Sequence, residues 1–187
     1  PTPAAPARPE VLHLSLPPAA SVEQAAALAL ATPEAPVHYV ENSLLPGLFG
    51  LLFWDAIFAP VPGAFFHPFQ SGPADLHHPE FRRRRRAEFD AGFQALADGE
   101  HRARILARYR EKSGRLSPFV HWGRLSEALL EQALDCLPAE HLALCFERLL
   151  ADIAANRAGL PDLIQFWPAQ RRYRMVEVKG PGDRLQD

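Results

Sequence analysis

Lysine is nearly missing from this chain: it occurs only at Lys112 and Lys179, and arginine supplies the rest of its twenty cationic residues. Cysteine is as scarce. Cys136 and Cys145 are too few for a disulfide framework and sit in helical-looking apolar text, so a reducing, intracellular setting is expected. An excess of either charge is missing too. A formal charge of −2 and a pI near 6.5 mean that any nucleic-acid contact must come from a local patch rather than from the whole molecule. No charged segment followed by an apolar run opens the chain, and its most apolar stretch, residues 44–58, is interrupted by Pro46, Asp55 and two glycines. Neither a signal peptide nor a membrane span is expected from this text. There is no glycine-rich phosphate loop, serine elbow or dinucleotide fingerprint, so nucleotide-driven motors and serine hydrolases lose support. The eight histidines, His77 and His78 included, lack metal-ligand spacing, and surface or core roles outweigh zinc.

A length of 187 residues with 48% hydrophobic content is enough to bury a core, and one domain with appendages is expected. Residues 1–36 read as a proline-rich arm (Pro1, Pro3, Pro6, Pro9, Pro17, Pro18) followed by a short helix from the capping box of Ser21 and Gln24 to about Leu30. From Asn42 or Ser43 to Phe58 apolar residues recur at helical spacing, with Pro46 either in the first turn or at a kink. A long connection over 59–79, rich in Pro, Gly and His, precedes helical text at 80–97, 100–112, 125–136 and 139–155. After Gly159 the text turns to β-branched and aromatic runs, 160–167 and 173–179, separated by Pro168 to Arg171; this predicts a β-hairpin.

Within that hairpin the chemistry concentrates. In a strand, residues two apart share a face, so Glu177 and Lys179 point one way and Val176 and Val178 the other. A four-residue loop pairs Trp167 with Arg172, and five steps back on each strand bring Asp162 opposite Glu177, with Cβ atoms roughly 5 Å apart. Two carboxylates so close repel unless a proton or cation lies between them, and hard oxygen ligands suit Mg²⁺ or Mn²⁺. Lys179 beside them supplies a compact charge that can help position a water and offset charge on a reacting phosphate. Metal as Lewis acid and water activator, plus a cation near the phosphate, are the parts phosphodiester hydrolysis needs. The same residues would also serve as the start of a strand and an ordinary solvated strand face, and spacing by itself leaves both readings open.

The arrangement Pro161-Asp162 followed by Glu177-Val-Lys179 resembles the catalytic pattern of the PD-(D/E)XK nucleases. The wider text, Arg157 to Leu163 and Val176 to Leu185, is similar to the VRR-NUC domain, and Glu41-Asn42, residues 51–58 and residues 70–76 resemble the Fanconi-associated branch of that family. The resemblance spans residues 37–187. It implies an α/β restriction-endonuclease-like core with a large helical insertion over about 59–156 and a catalytic hairpin at 160–179. It implies metal ligands Glu41, Asp162, Glu177 and the backbone carbonyl of Val178, with Lys179 joining Asp162 and Glu177 in catalysis. By itself Glu41 reads as a helix-terminal carboxylate. The activity implied is structure-selective, Mg²⁺- or Mn²⁺-dependent cleavage of DNA, at 5′ flaps and from exposed ends in the 5′ to 3′ direction, in interstrand crosslink repair. The implied setting is the bacterial nucleoid, or the nucleus of a eukaryote, with no membrane partner. The family fold continues beyond its catalytic strand, so the domain is expected to be incomplete at Asp187 and to depend on the remainder of a longer polypeptide.

Arg82 to Arg86 invite a DNA-binding reading, but five successive helical residues sweep more than a full turn and cannot form one stripe. Phosphate contact by Arg82 and Arg83 stands level with simple solvation or pairing to Glu80, Glu88 and Asp90. Arg157 and Arg184 flank the hairpin and are the better candidates. The competing functions are a PD-(D/E)XK nuclease of another substrate, such as a junction resolvase or restriction enzyme, and a catalytically silent module that binds branched DNA. With every acidic position filled, silence is the weaker of these.

Overall fold

The expected hairpin forms, with the expected register. In the computed structural model, which describes residues 10–19 and 21–179, β2 (Leu163–Trp167) and β3 (Arg172–Val176) pair antiparallel from Trp167 opposite Arg172 to Leu163 opposite Val176. The first nine residues of the proline-rich arm and Arg184 lie outside the described residues. Both strands are shorter than the sequence pattern suggested. Val178 stands opposite Pro161, which has no N–H to offer, and the Val178 N–H donates instead to Asp162 Oδ2 at 2.8 Å. The ladder thus ends one residue before the carboxylates.

A third strand was not anticipated. β1 (Val37–Tyr39) pairs antiparallel with the other side of β2, giving the order β1-β2-β3. Three residues carry too little alternation to announce a strand; what makes it one is the partner far away in sequence. The bond from Val40 N–H to Asp162 O, 2.8 Å, extends this pairing past Tyr39.

Alternation along β2 divides the sheet between two layers. Ile164 and Phe166, with Tyr173 and Met175 from β3, pack into the helical core. On the other face lies Gln165, 2% exposed, whose amide donates to Leu30 O at 2.8 Å and Ala35 O at 3.2 Å and accepts from Arg174 at 2.7 Å. Gln165 thereby ties α1 (Val22–Leu30) to the sheet. α1 itself opens as expected, Ser21 accepting from Gln24 N–H at 3.1 Å.

The helical body centres on α2 (Leu44–Leu52), whose residues are buried apart from Leu45. Pro46 occupies its first turn, where a missing N–H costs nothing. The single helix expected to Phe58 is two, because the chain leaves helical geometry at Phe53 before α3 (Trp54–Ile57). A 3₁₀ turn at Arg83–Arg85 leads into α4 (Arg86–Ala97), followed by α5 (His101–Lys112), α6 (Glu127–Cys136) and α7 (Ala139–Ala151). The expected helix to residue 155 breaks at Asp152, which is extended and caps α8 (Ile153–Asn156) by accepting from Ala155 N–H at 3.0 Å. Phe49 anchors the core, with Phe53 and Phe119 centroids each 4.9 Å away and Phe146 edge-on at 5.7 Å. Two glycines permit the close packing: a Cβ at Gly47 would overlap Leu125, and one at Gly92 would overlap the Phe53 ring. Among the described residues no helix is long and apolar enough to cross a membrane.

Candidate active site

The sheet brings the predicted residues to one end. By continuation of the register Asp162 lies between Val40, just past β1, and Glu177, just past β3, and Glu41 follows Val40 directly. The three carboxylates therefore leave three neighbouring strands at the same edge, although none of them belongs to a strand itself. Glu41 starts the turn that leads into α2, where Asn42 adopts a left-handed conformation (φ 51°) tolerated by asparagine better than by most residues. Asn42 spends its side chain on this junction, accepting from Leu160 N–H at 3.5 Å and donating to Glu41 Oε1 at 3.4 Å.

Each functional side chain is turned to a protein partner. Asp162 accepts from Val178 N–H; Glu177 Oε1 accepts from Lys179 Nζ at 2.7 Å; Glu41 Oε2 accepts a short bond from the Tyr39 hydroxyl. Glu177 and Lys179 share a face, as strand alternation requires, and both remain partly open to solvent. Val176 and Val178 are half-buried.

Crowding is visible in the proton affinity of Asp162. Burial pushes its carboxyl above the ordinary range, the Val178 N–H works against that, and the charges of Glu177, Glu41 and Glu23 push it further up. Four acidic side chains thus share one electrostatic neighbourhood. Glu23, on α1, was missed in the sequence because nothing in its local text connects it with the hairpin. As the side chains stand, no three of the described His, Cys, Asp or Glu residues close on a common point as a metal cage would. The donor set nevertheless fits a hard divalent cation, because it is all oxygen, concentrates negative charge and is destabilised without a counter-charge.

Two further residues adjoin the site. Tyr39 lies two positions before Glu41, a spacing that in a strand sets both on one side, and its hydroxyl is raised above the usual phenol range chiefly by the hydrogen bond to Glu41. Arg124 lies over the Tyr39 ring, 5.7 Å from its centroid. No sequence signal links Arg124 to the site; its approach is purely tertiary.

The arginine run behaves differently. Arg82 makes a two-bond pair with Glu147 at 2.5 and 2.7 Å, Arg83 pairs with Glu80, and Arg86 with Asp90 at 3.4 Å. Arg84 reaches Asp75 and Pro62 O, both at 2.6 Å, while the fully buried Arg85 binds both Asp75 oxygens at 2.9 and 2.7 Å. All five arginines are thus engaged with carboxylates, and two of them fasten the long connection to the helical body. Arg157, just after α8, is half-buried and donates to Pro118 O at 3.3 Å.

Comparison with known proteins identifies the family to which this fold belongs. The VRR-NUC domain model matches residues 96–187. The chain is 68% identical over 167 residues to the Fanconi-associated nuclease 1 homolog of Pseudomonas aeruginosa, covering 89% of this chain and 30% of that protein. It is 38% identical over 152 residues to human Fanconi-associated nuclease 1, covering 78% of this chain and 15% of the human protein. The crystal structure of paFAN1 bound to 2nt 5′flap DNA with gap superposes with a TM-score of 0.91 at 63% identity, covering all of this chain and 35% of that one. The chain therefore spans about a third or less of the length of these relatives. With its helical body and small sheet matching that fold, and consistent with a PD-(D/E)XK-like core, the chain belongs to the VRR-NUC family of nucleases, in the branch of the Fanconi-associated nucleases.

Proposed function

We propose that this chain carries the catalytic centre of a structure-selective DNA nuclease that hydrolyses phosphodiesters with Mg²⁺ or Mn²⁺, cutting at 5′ flaps and digesting 5′ to 3′ from exposed ends during interstrand crosslink repair. The observation that carries the proposal is the meeting of Glu41, Asp162, Glu177 and Lys179 at one edge of the sheet. The DNA seen on paFAN1, a 5′ flap with a gap, supports the choice of substrate.

Glu41, Asp162, Glu177 and the Val178 carbonyl are the ligands we assign. A divalent ion bound by them supplies Lewis-acid polarisation of the phosphate and acidifies water. Lys179, paired with Glu177 in this structure, would place a point charge beside such an ion, to orient the attacking water and to offset charge growing on the phosphate. Asp162 stays in place through its bond to Val178 N–H, so the ligand nearest the sheet is oriented before the ion arrives.

DNA is held, in this reading, by Arg157, which precedes the hairpin, and by Arg184, which follows it in sequence. Arg82 and Arg83 contribute only by exchanging Glu147 and Glu80 for phosphate. We also assign residues 1–36 to an arm and first helix and residues 37–187 to the nuclease domain, in a polypeptide with further parts.

The test is cleavage of a 5′-labelled flap duplex with Mg²⁺, with Mn²⁺ and with chelator. Metal-dependent incision near the flap junction supports the proposal. Tight flap binding without incision under any condition would make the protein a silent binding module, and faster cutting of four-way junctions than of flaps would make it a resolvase.

A further inference from the structure

The turn that presents Arg124 is fixed from several sides. It is a 3₁₀ turn, Trp122–Arg124, closed by Arg124 N–H on His121 O at 2.9 Å. The Trp122 indole donates to Arg115 O at 2.6 Å, and its ring packs against Tyr109 (5.6 Å) and Trp54 (6.4 Å). On the other side of Arg124, Leu125 is buried against Gly47 of α2, and its carbonyl accepts from the Tyr109 hydroxyl at 2.9 Å. An exposed arginine is thus held on a rigid base and tied to the helix that follows Glu41. Its guanidinium lies over the Tyr39 ring, and Tyr39 in turn donates its hydroxyl proton to Glu41 Oε2.

We propose that Tyr39 and Arg124 are a positioning pair for Glu41, holding its carboxylate in the orientation in which it receives the divalent ion. An arginine only donates, and a phenol both donates and accepts. With the donor-only guanidinium of Arg124 against the ring, the phenol proton has Glu41 as its acceptor. Oε2 is thereby engaged, and Oε1, which among the described residues has the 3.4 Å contact from Asn42 alone, is the oxygen left for the ion. Metal-binding carboxylates are commonly fixed by such outer hydrogen bonds. The restraint matters here because Glu41 sits in a turn, outside the strand pairing that fixes Asp162.

This inference rests on the reading of Glu41 as a metal ligand, and its test separates the two. Mn²⁺ binding to the purified full chain is titrated calorimetrically without DNA, and metal-free thermal unfolding is recorded alongside. Tyr39→Phe should weaken Mn²⁺ binding by about 10-fold, the lower end of what losing an outer hydrogen bond costs a metal site. Tyr39 is 46% exposed, so metal-free melting should stay as in the unaltered protein. Arg124→Ala should weaken binding in the unaltered protein and have no further effect in the Tyr39→Phe background, because it acts through the phenol. Unchanged Mn²⁺ affinity in both single variants, or additive losses in the double variant, overturns the pair. Should Glu41→Ala also bind Mn²⁺ normally, Glu41 is not a ligand and the underlying reading fails. Loss in Glu41→Ala with normal binding in Tyr39→Phe and Arg124→Ala removes the positioning pair alone.

Discussion

The helical body and the carboxylate edge of the sheet treat charge in opposite ways. In the body, Arg85 is fully buried and both oxygens of Asp75 answer it, with Arg84 sharing the same carboxylate. At the edge, Asp162 is surrounded by Glu177, Glu41 and Glu23, and the charges that reach it raise its proton affinity further instead of relieving it. In the body the buried charge is met by a charge of opposite sign, although Arg85 Nε itself has no hydrogen-bond partner among the described residues. The edge is frustrated and would gain from a divalent cation, as proposed for it. Function resides where local electrostatics are left incomplete.

The sharpest way to break this contrast is to remove a carboxylate from the edge. Asp162→Ala and Glu177→Ala should each reduce metal-dependent flap cleavage to background while leaving DNA affinity largely intact, since both remove proposed metal ligands and neither removes a proposed phosphate contact. Single-turnover cleavage beside gel-shift binding checks this. Retained cleavage in either variant would take the reaction elsewhere. Lys179→Ala should lower the rate by about 10²- to 10³-fold, the usual cost of deleting one stabiliser of developing charge, with Mn²⁺ affinity preserved. Lys179→Arg should recover little, because a planar fork does not replace a compact ammonium. An arginine variant at full rate would refute the point-charge role.

Changes in the body should show the reverse signature. Asp75→Ala strands a buried arginine and should cost about 3–5 kcal/mol of stability. Phe49→Ala empties the centre of the aromatic cluster and should cost about 3–5 kcal/mol. For both, denaturant unfolding should shift while Mn²⁺ affinity, measured where the variants remain folded, stays constant. A body variant that lost metal affinity without losing stability would erase the division between the two regions.

How much of this was legible in the sequence follows the same division by range. The hairpin could be read down to its register, because Pro168 to Arg171 marks the turn and alternation fixes what faces what; Asp162, Glu177 and Lys179 came with it. Glu41 as a ligand came from family resemblance alone, since its local text suggests only a helix-end carboxylate. β1 was illegible: three residues become a strand only when Leu163 to Gln165 arrive beside them. The partners of the arginine run split likewise. Glu80 and Asp90 were foreseeable as neighbours within a turn, whereas Asp75 and Glu147 are brought in by tertiary packing. Arg124 over Tyr39 belongs to this last class.

The smallest effect, and the most direct measure of frustration at the edge, is the stability of the metal-free protein with and without the Asp162 charge. Because the carboxyl of Asp162 is raised in the folded state, chiefly by burial and then by Glu177, Glu41 and Glu23, folding favours its protonated form. Its contribution to stability is therefore fully present below the ordinary carboxylate value, about 3.9, and is lost as the pH rises through the raised folded value. At pH 7 the charged form is in place and the whole cost is felt. Asp162→Asn removes the charge, while its amide oxygen can still accept from Val178 N–H. Without divalent metal the variant should melt slightly above the unaltered protein at pH 7, and the gap should narrow on acidification toward pH 4. Millimolar Mn²⁺ should reverse the order, since the unaltered protein alone gains the linkage energy of a bound ion. Were the unaltered protein the more heat-stable of the two at pH 7 in chelator, Asp162 would have to be stabilised by the fold in its charged form, and the contrast between a charge-paired body and a frustrated edge would fail at its central residue.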